Sequence, residues 1–168
     1  FGAAVATDGV HVAVGAPGMH EGVCYLFRLP GIGTIPQTTP HISRPVRVEA
    51  PEGVGLSFGR SVAIDGDRPV VGAPQQGAHG IVVVFHRQGI AWVVDAVLEP
   101  EAGMSFGASV ALADGAIIVG DPDASQGGMV SMYVEVGGVW IEQSPAIEHV
   151  SGDELGAAVG FAAGRLLA

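Results

Sequence analysis

Two serines stand in the pattern that hydrolases use to expose a nucleophile. Gly55-Leu56-Ser57-Phe58-Gly59 and Gly103-Met104-Ser105-Phe106-Gly107 both read G-x-S-x-G. A nucleophile elbow needs a strand before the serine, a sharp turn at it and a helix after it. Here strand-like residues follow the motif, and the motif recurs 48 residues later. Ser57 and Ser105 are therefore expected to be turn residues, and no catalytic residue is assigned. Asp121-Pro122-Asp123-Ala124-Ser125 sets oxygen-bearing side chains at the first, third and fifth positions of a calcium loop. The sixth and twelfth positions of such a loop call for glycine and glutamate, and the chain has Gln126 and Met132 there. Asp121, Asp123 and Ser125 thus form only a partial calcium set, which reads better as an acidic turn that accepts backbone hydrogen bonds. The histidines at 11, 20, 41, 79, 86 and 149 include no pair at zinc spacing. Trp92 and Trp140 offer sugar-stacking faces, but their fixed place in the repeat points to packing against the next structural unit.

The elements that carry these residues repeat. Phe1-Gly2, Phe58-Gly59, Phe106-Gly107 and Leu155-Gly156 each open a short apolar run. Gly15-Ala16-Pro17, Gly72-Ala73-Pro74 and Gly120-Asp121-Pro122 close the next run, each glycine thirteen residues after the opening one. Gly22, Gly80 and Gly128 then open a third run, and Trp92 and Trp140 a fourth. Successive opening glycines are 57, 48 and 49 residues apart, so the first copy carries an insertion, at 29–43. Periods of this length mark propellers, solenoids or arrays. Each copy resolves into strands A to D; in the second, A spans 58–64, B 70–73, C 81–86 and D 92–98. Asp8-Gly9, Asp65-Gly66 and Asp114-Gly115 suit two-residue type I′ hairpins between A and B. The A runs are rich in small residues, Ala4, Ser61, Ser109 and Ala158 at one position, as expected of the innermost strand. The glycines at 156, 160 and 164 also fit a helix-packing face, but alignment with the other A and B runs explains them better.

Composition agrees with an all-β chain. Hydrophobic residues make up 48% of 168, charged residues 14%, and 27 glycines and 11 prolines supply turns. The net charge is −10, and the seven basic residues never cluster along the chain, so no nucleic-acid partner is expected. No apolar run reaches the roughly 20 residues of a membrane helix. Cys24, the sole cysteine, sits mid-run and reads as a small core hydrophobe. Residue 1 already lies inside a repeat, and the glycine due after Gly156 falls just beyond Ala168; a longer chain supplying the remaining repeats is expected.

At these positions the chain resembles the FG-GAP repeat family, in the bacterial short-hairpin form of the repeat that builds integrin α-chain β-propellers. Phe58-Gly59, Ser61 to Ile64, Val71 to Pro74, Gly80 and Trp92 match its pattern, and Phe106-Gly107, Ser109 to Ala111, Val119-Gly120, Pro122, Gly128 and Trp140 match again, with Asp121 in place of alanine. The resemblance implies a β-propeller fragment: blade I over 1–57, blade II over 58–105, blade III over 106–154, and the first half of a fourth over 155–168. It also implies a ligand face built from the B-to-C and D-to-A loops. Candidate contacts there are His20, Glu21, Gln75, Gln76, His79, Asp123, Ser125 and Gln126. The DxDxDG calcium loop of integrin-type repeats is cut to two-residue turns here, so neither a metal nor a cofactor is expected from it. The implied function is a non-catalytic extracellular or cell-surface binding scaffold for a protein ligand. A carbohydrate-binding propeller and an accessory domain of a larger secreted enzyme are the alternatives.

Overall fold

A computed structural model describes residues 1–19, 21–29, 44–52, 57–75, 79–100, 104–124, 127–148, 154–162 and 165–167. Among them there is no helix, and hence none long and apolar enough to cross a membrane. The first sheet consists of β1 (Ala4–Thr7), β2 (His11–Ala16), β3 (Val23–Arg28) and β4 (Val46–Glu49). The second holds β5 (Ser61–Asp65), β6 (Arg68–Ala73), β7 (Ile81–Gln88) and β8 (Ala91–Leu98). The third holds β9 (Ser109–Ala113), β10 (Ala116–Asp121), β11 (Met129–Val136) and β12 (Val139–Glu148). A two-stranded sheet of β13 (Gly160–Ala162) and β14 (Arg165–Leu167) follows, so strands replace the helix that the spaced glycines also allowed. Each four-stranded sheet is an antiparallel meander in chain order, matching strands A to D. Of the 29–43 insertion, all but Leu29 lies outside the described residues.

Side-chain alternation sends each strand's residues to two different neighbours. Along β7, Ile81, Val83 and Phe85 join a core shared with the first sheet, while Val82 and Val84 join one shared with the third. The inner part of the second sheet is therefore buried on both faces, which is why Ile81 to Phe85 of β7 are apolar without a break instead of alternating with polar residues. Sheets lie closest along β1, β5, β9 and β13, the small-residue A strands, and touch little at β8 and β12. Small side chains stand at the near edge and bulkier ones farther out.

The repeat motif forms the seam. Gly59, at φ 87°, donates its N–H to the Gly72 carbonyl of its own sheet over 3.1 Å. Its backbone also backs onto Gly15 of the preceding sheet, so that Gly15 Cα lies 3.2 Å from where a Gly59 β-carbon would stand. The same contact joins Gly72 to Gly107 and Gly120 to Gly156. Isolated parallel bridges, Gly22 to Phe58, Gly80 to Phe106 and Gly128 to Leu155, tie each sheet to the next. Hydroxyls add to the seam: Ser61 Oγ donates to the Gly107 carbonyl and Ser109 Oγ to that of Gly156, both at 2.7 Å. Phe58 and Phe106 are fully buried, edge-on to Phe85 and Tyr133 respectively.

The A-to-B turns differ from the expected set. Only Asp114-Gly115 has positive φ at both residues, as a type I′ turn requires. In the second sheet the register pairs Asp65 with Arg68, which moves the turn to Gly66-Asp67. In the first, Thr7 pairs with Val12 and the connection is longer. There the Asp8 carboxylate accepts the Val10 and His11 N–H groups at 2.7 and 2.5 Å. That local bonding stabilises the wider turn without a second left-handed residue.

Candidate functional site

The meander topology places the B-to-C and D-to-A loops at one end of every sheet, and the A-to-B and C-to-D hairpins at the other. At the loop end, both serines of the G-x-S-x-G patterns hold loop to loop. Ser57 Oγ donates to Gln75 Oε1 at 2.7 Å, and Ser105 Oγ donates to the Asp123 carboxylate. Gln75 and Asp123 each follow the proline of their repeat, so the two links are equivalent. In both cases a D-to-A loop is fastened to the B-to-C loop of the sheet it enters. Ser57 is held at φ 67°, a left-handed conformation uncommon for serine.

Asp121 replaces the alanine of the other copies and is fully buried. Its carboxylate accepts the Ser105 N–H at 2.9 Å and the Met104 N–H at 3.2 Å. Burial pushes its pKa above the ordinary carboxylate value; N–H donors from Ser105, Met104 and Asp123 pull the other way, and the Asp123 charge adds to the rise. Both oxygens thus serve the loop as amide acceptors. The third member of the partial calcium set, Ser125, lies outside the described residues, as do His20, Gln76 and Gln126. Among the described residues no three His, Cys, Asp or Glu side chains are grouped to hold a metal ion. Glu21, Gln75, His79 and Asp123 are all exposed at the loop end. Glu21 borders a depression with Arg47 and Glu49, themselves paired at 2.8 Å.

The tryptophans lie at the opposite, hairpin end, and each packs on the preceding sheet, where the next one was expected. Trp92 meets the ring of His11 edge-on at 5.7 Å. Trp140 donates its indole N–H to Asp95 at 3.2 Å and carries Arg68 over its ring at 5.1 Å. Both are half-buried. The partners lie on the preceding sheet because each D strand opens beside the B strand of its neighbour. His11 and Arg68 each stand four residues before the glycine of their Gly-x-Pro step. Aligning the copies on that glycine exposes this equivalence, a signal that a search by residue type passes over.

Compared with known proteins, the chain matches no protein-family model, and no curated protein matches it.

Proposed function

We propose that the three sheets are consecutive blades of a β-propeller of the FG-GAP type, acting as a non-catalytic scaffold that presents its loop end to a protein ligand outside the cell. The observation that carries this reading is the use made of the chemistry-bearing motifs. Ser57 and Ser105 fasten loops, and the paired glycines of each Phe-Gly and Gly-x-Pro step form seams. The residues at equivalent loop-end positions differ from copy to copy: Gly18, Gln75 and Asp123 after the proline, and Glu21, His79 and Gly127 before the third-run glycine. An invariant frame with varied loops suits recognition, since a rigid platform loses little entropy on binding. Convergence of the small-residue strands at one edge favours radial over parallel stacking. The outer side of the first sheet, with Phe1 and Val5 exposed, offers the same kind of seam to a further sheet. Both tryptophans are engaged within the protein, which weakens the glycan-stacking alternative.

The test is a binding screen of the immobilised chain against arrays of extracellular proteins and of glycans. A protein ligand lost on exchanging residues 75–79 or 123–127 for Gly-Ser sequence supports the reading. Binding confined to glycans, or ester hydrolysis that disappears in Ser57→Ala or Ser105→Ala, contradicts it.

A further inference from the structure

Arginines that are scattered in sequence converge at the hairpin end, between the first and second sheets. A cavity of about 170 Å³ opens there, and its lining includes His11, Arg28, Arg44, Arg87, Ile90 and Trp92. No aspartate or glutamate is among the described residues that line it. Asp8 meets His11 at 3.1 Å and Asp67 meets Arg87 at 3.4 Å, both from outside the lining. Three of the chain's seven basic residues thus share one small cavity, in a protein of net charge −10.

The repeat supplies an internal reference. Between the second and third sheets, Arg68 takes the place of His11, and Glu135 stands opposite Trp140 as Arg87 stands opposite Trp92. There a cation meets an anion: Arg68 pairs with Glu135 at 2.5 Å, and the His86 ring lies 3.3 Å from Asp95. In the first seam an arginine occupies the position of that glutamate. The sign reversal at one position of an otherwise shared design sets the Arg87 guanidinium, with Asp67 on its far side, beside an apolar wall.

We propose that this cavity binds a small organic carboxylate, its apolar body against Trp92 and Ile90 and its carboxylate against the guanidinium groups of Arg44 and Arg87. A guanidinium fork matches a carboxylate with two parallel hydrogen bonds. The volume falls below the roughly 300–1,000 Å³ of pockets for drug-sized ligands, which selects a single ring or a short branched chain. The site lies at the end of the sheets opposite the loop face, and its assignment is independent of what that face binds.

Benzoate is the probe, titrated into the intact chain while backbone and indole resonances are followed by NMR, with benzamide and inorganic phosphate as comparators. Saturable shifts are expected at the Trp92 indole and around Arg87, with none at Trp140. Arg87→Glu, which installs the charge of the second seam, and the milder Arg87→Gln and Arg44→Gln each weaken binding, the first by about tenfold or more. Arg60→Gln, at the loop end, leaves it unchanged. Added salt weakens binding, because the cations are partly exposed and screened. Equal affinity for benzamide would overturn the role of charge, and equal affinity for phosphate the role of the apolar wall. An absence of saturable shifts, or full binding by folded Arg87→Gln and Arg44→Gln, would overturn the site.

Discussion

Gly72→Ala isolates the seam between the second and third sheets. The φ of Gly72 lies outside the left-handed region, so alanine brings no backbone strain of that kind. Its β-carbon, however, would stand 3.1 Å from the Gly107 carbonyl carbon and closer than 3.0 Å to both the Gly107 oxygen and Ser61 Oγ. Forcing the sheets apart costs about 1–3 kcal/mol as overpacking. Displacing Ser61 from the buried Gly107 carbonyl adds about 1–3 kcal/mol for an unsatisfied acceptor. The sum is on the order of 4 kcal/mol, or roughly 8–16 °C in Tm for a chain of this size. Gly66→Ala is the reference: nothing lies within 4 Å of its β-carbon, and its φ of 57° alone is penalised. That penalty is about 1–2 kcal/mol. Urea and thermal unfolding followed by circular dichroism measure both variants. If Gly72→Ala loses no more stability than Gly66→Ala, the glycine seam is not what joins the sheets.

Further predictions concern burial and ionisation. Phe58→Ala removes a fully buried ring and destabilises by about 3–5 kcal/mol. Phe1→Ala, at the same motif position but 74% exposed, costs within about 0.5 kcal/mol by the same unfolding measurement. Burial raises the Asp121 pKa in the folded chain, so its contribution to stability is full below the ordinary carboxylate pKa of about 3.9 and is lost as pH rises through the raised folded value. Urea midpoints from about pH 3 to 7 should therefore show a decline that Asp121→Asn lacks. Asp8 acts in the opposite sense: burial raises its pKa, but the His11 and Val10 amides and the His11 ring lower it further, so its stabilisation is lost as pH falls. Burial pushes the Cys24 thiol up to about 12, against a backbone hydrogen bond with Val14. The native protein should resist thiol-specific reagents, and labelling should begin only as the unfolding transition does.

Much of the architecture was legible because the repeat is carried by glycines at positions where backbones touch. The thirteen-residue step from Gly59 to Gly72 spans one A and B pair, whose register in the structure places Ser61 opposite Gly72. Small residues at Ser61 and Ser109 announced the near edge of the sheets for the same steric reason. Turn chemistry was less legible. Asp-Gly suits a type I′ turn in all three copies, yet Asp8 bonds its own loop and the Asp65–Arg68 pairing shifts the second turn by one residue. Local propensity could not weigh those competing hydrogen bonds. The loop-end site was legible by position alone: Ser57 and Ser105 were recognised as turn residues, but their partners depend on contacts between loops. The arginine groove stayed hidden, because Arg28, Arg44 and Arg87 come together only when two sheets meet.

The central claim, that the repeated glycine pairs join consecutive sheets, is tested most directly by nuclear Overhauser effects between α-protons in the folded chain. Cross-peaks linking Gly15 with Gly59, Gly72 with Gly107 and Gly120 with Gly156 are expected, together with the parallel-bridge contacts of Gly22 with Phe58 and Gly80 with Phe106. Intact antiparallel meanders without those inter-sheet cross-peaks would contradict it.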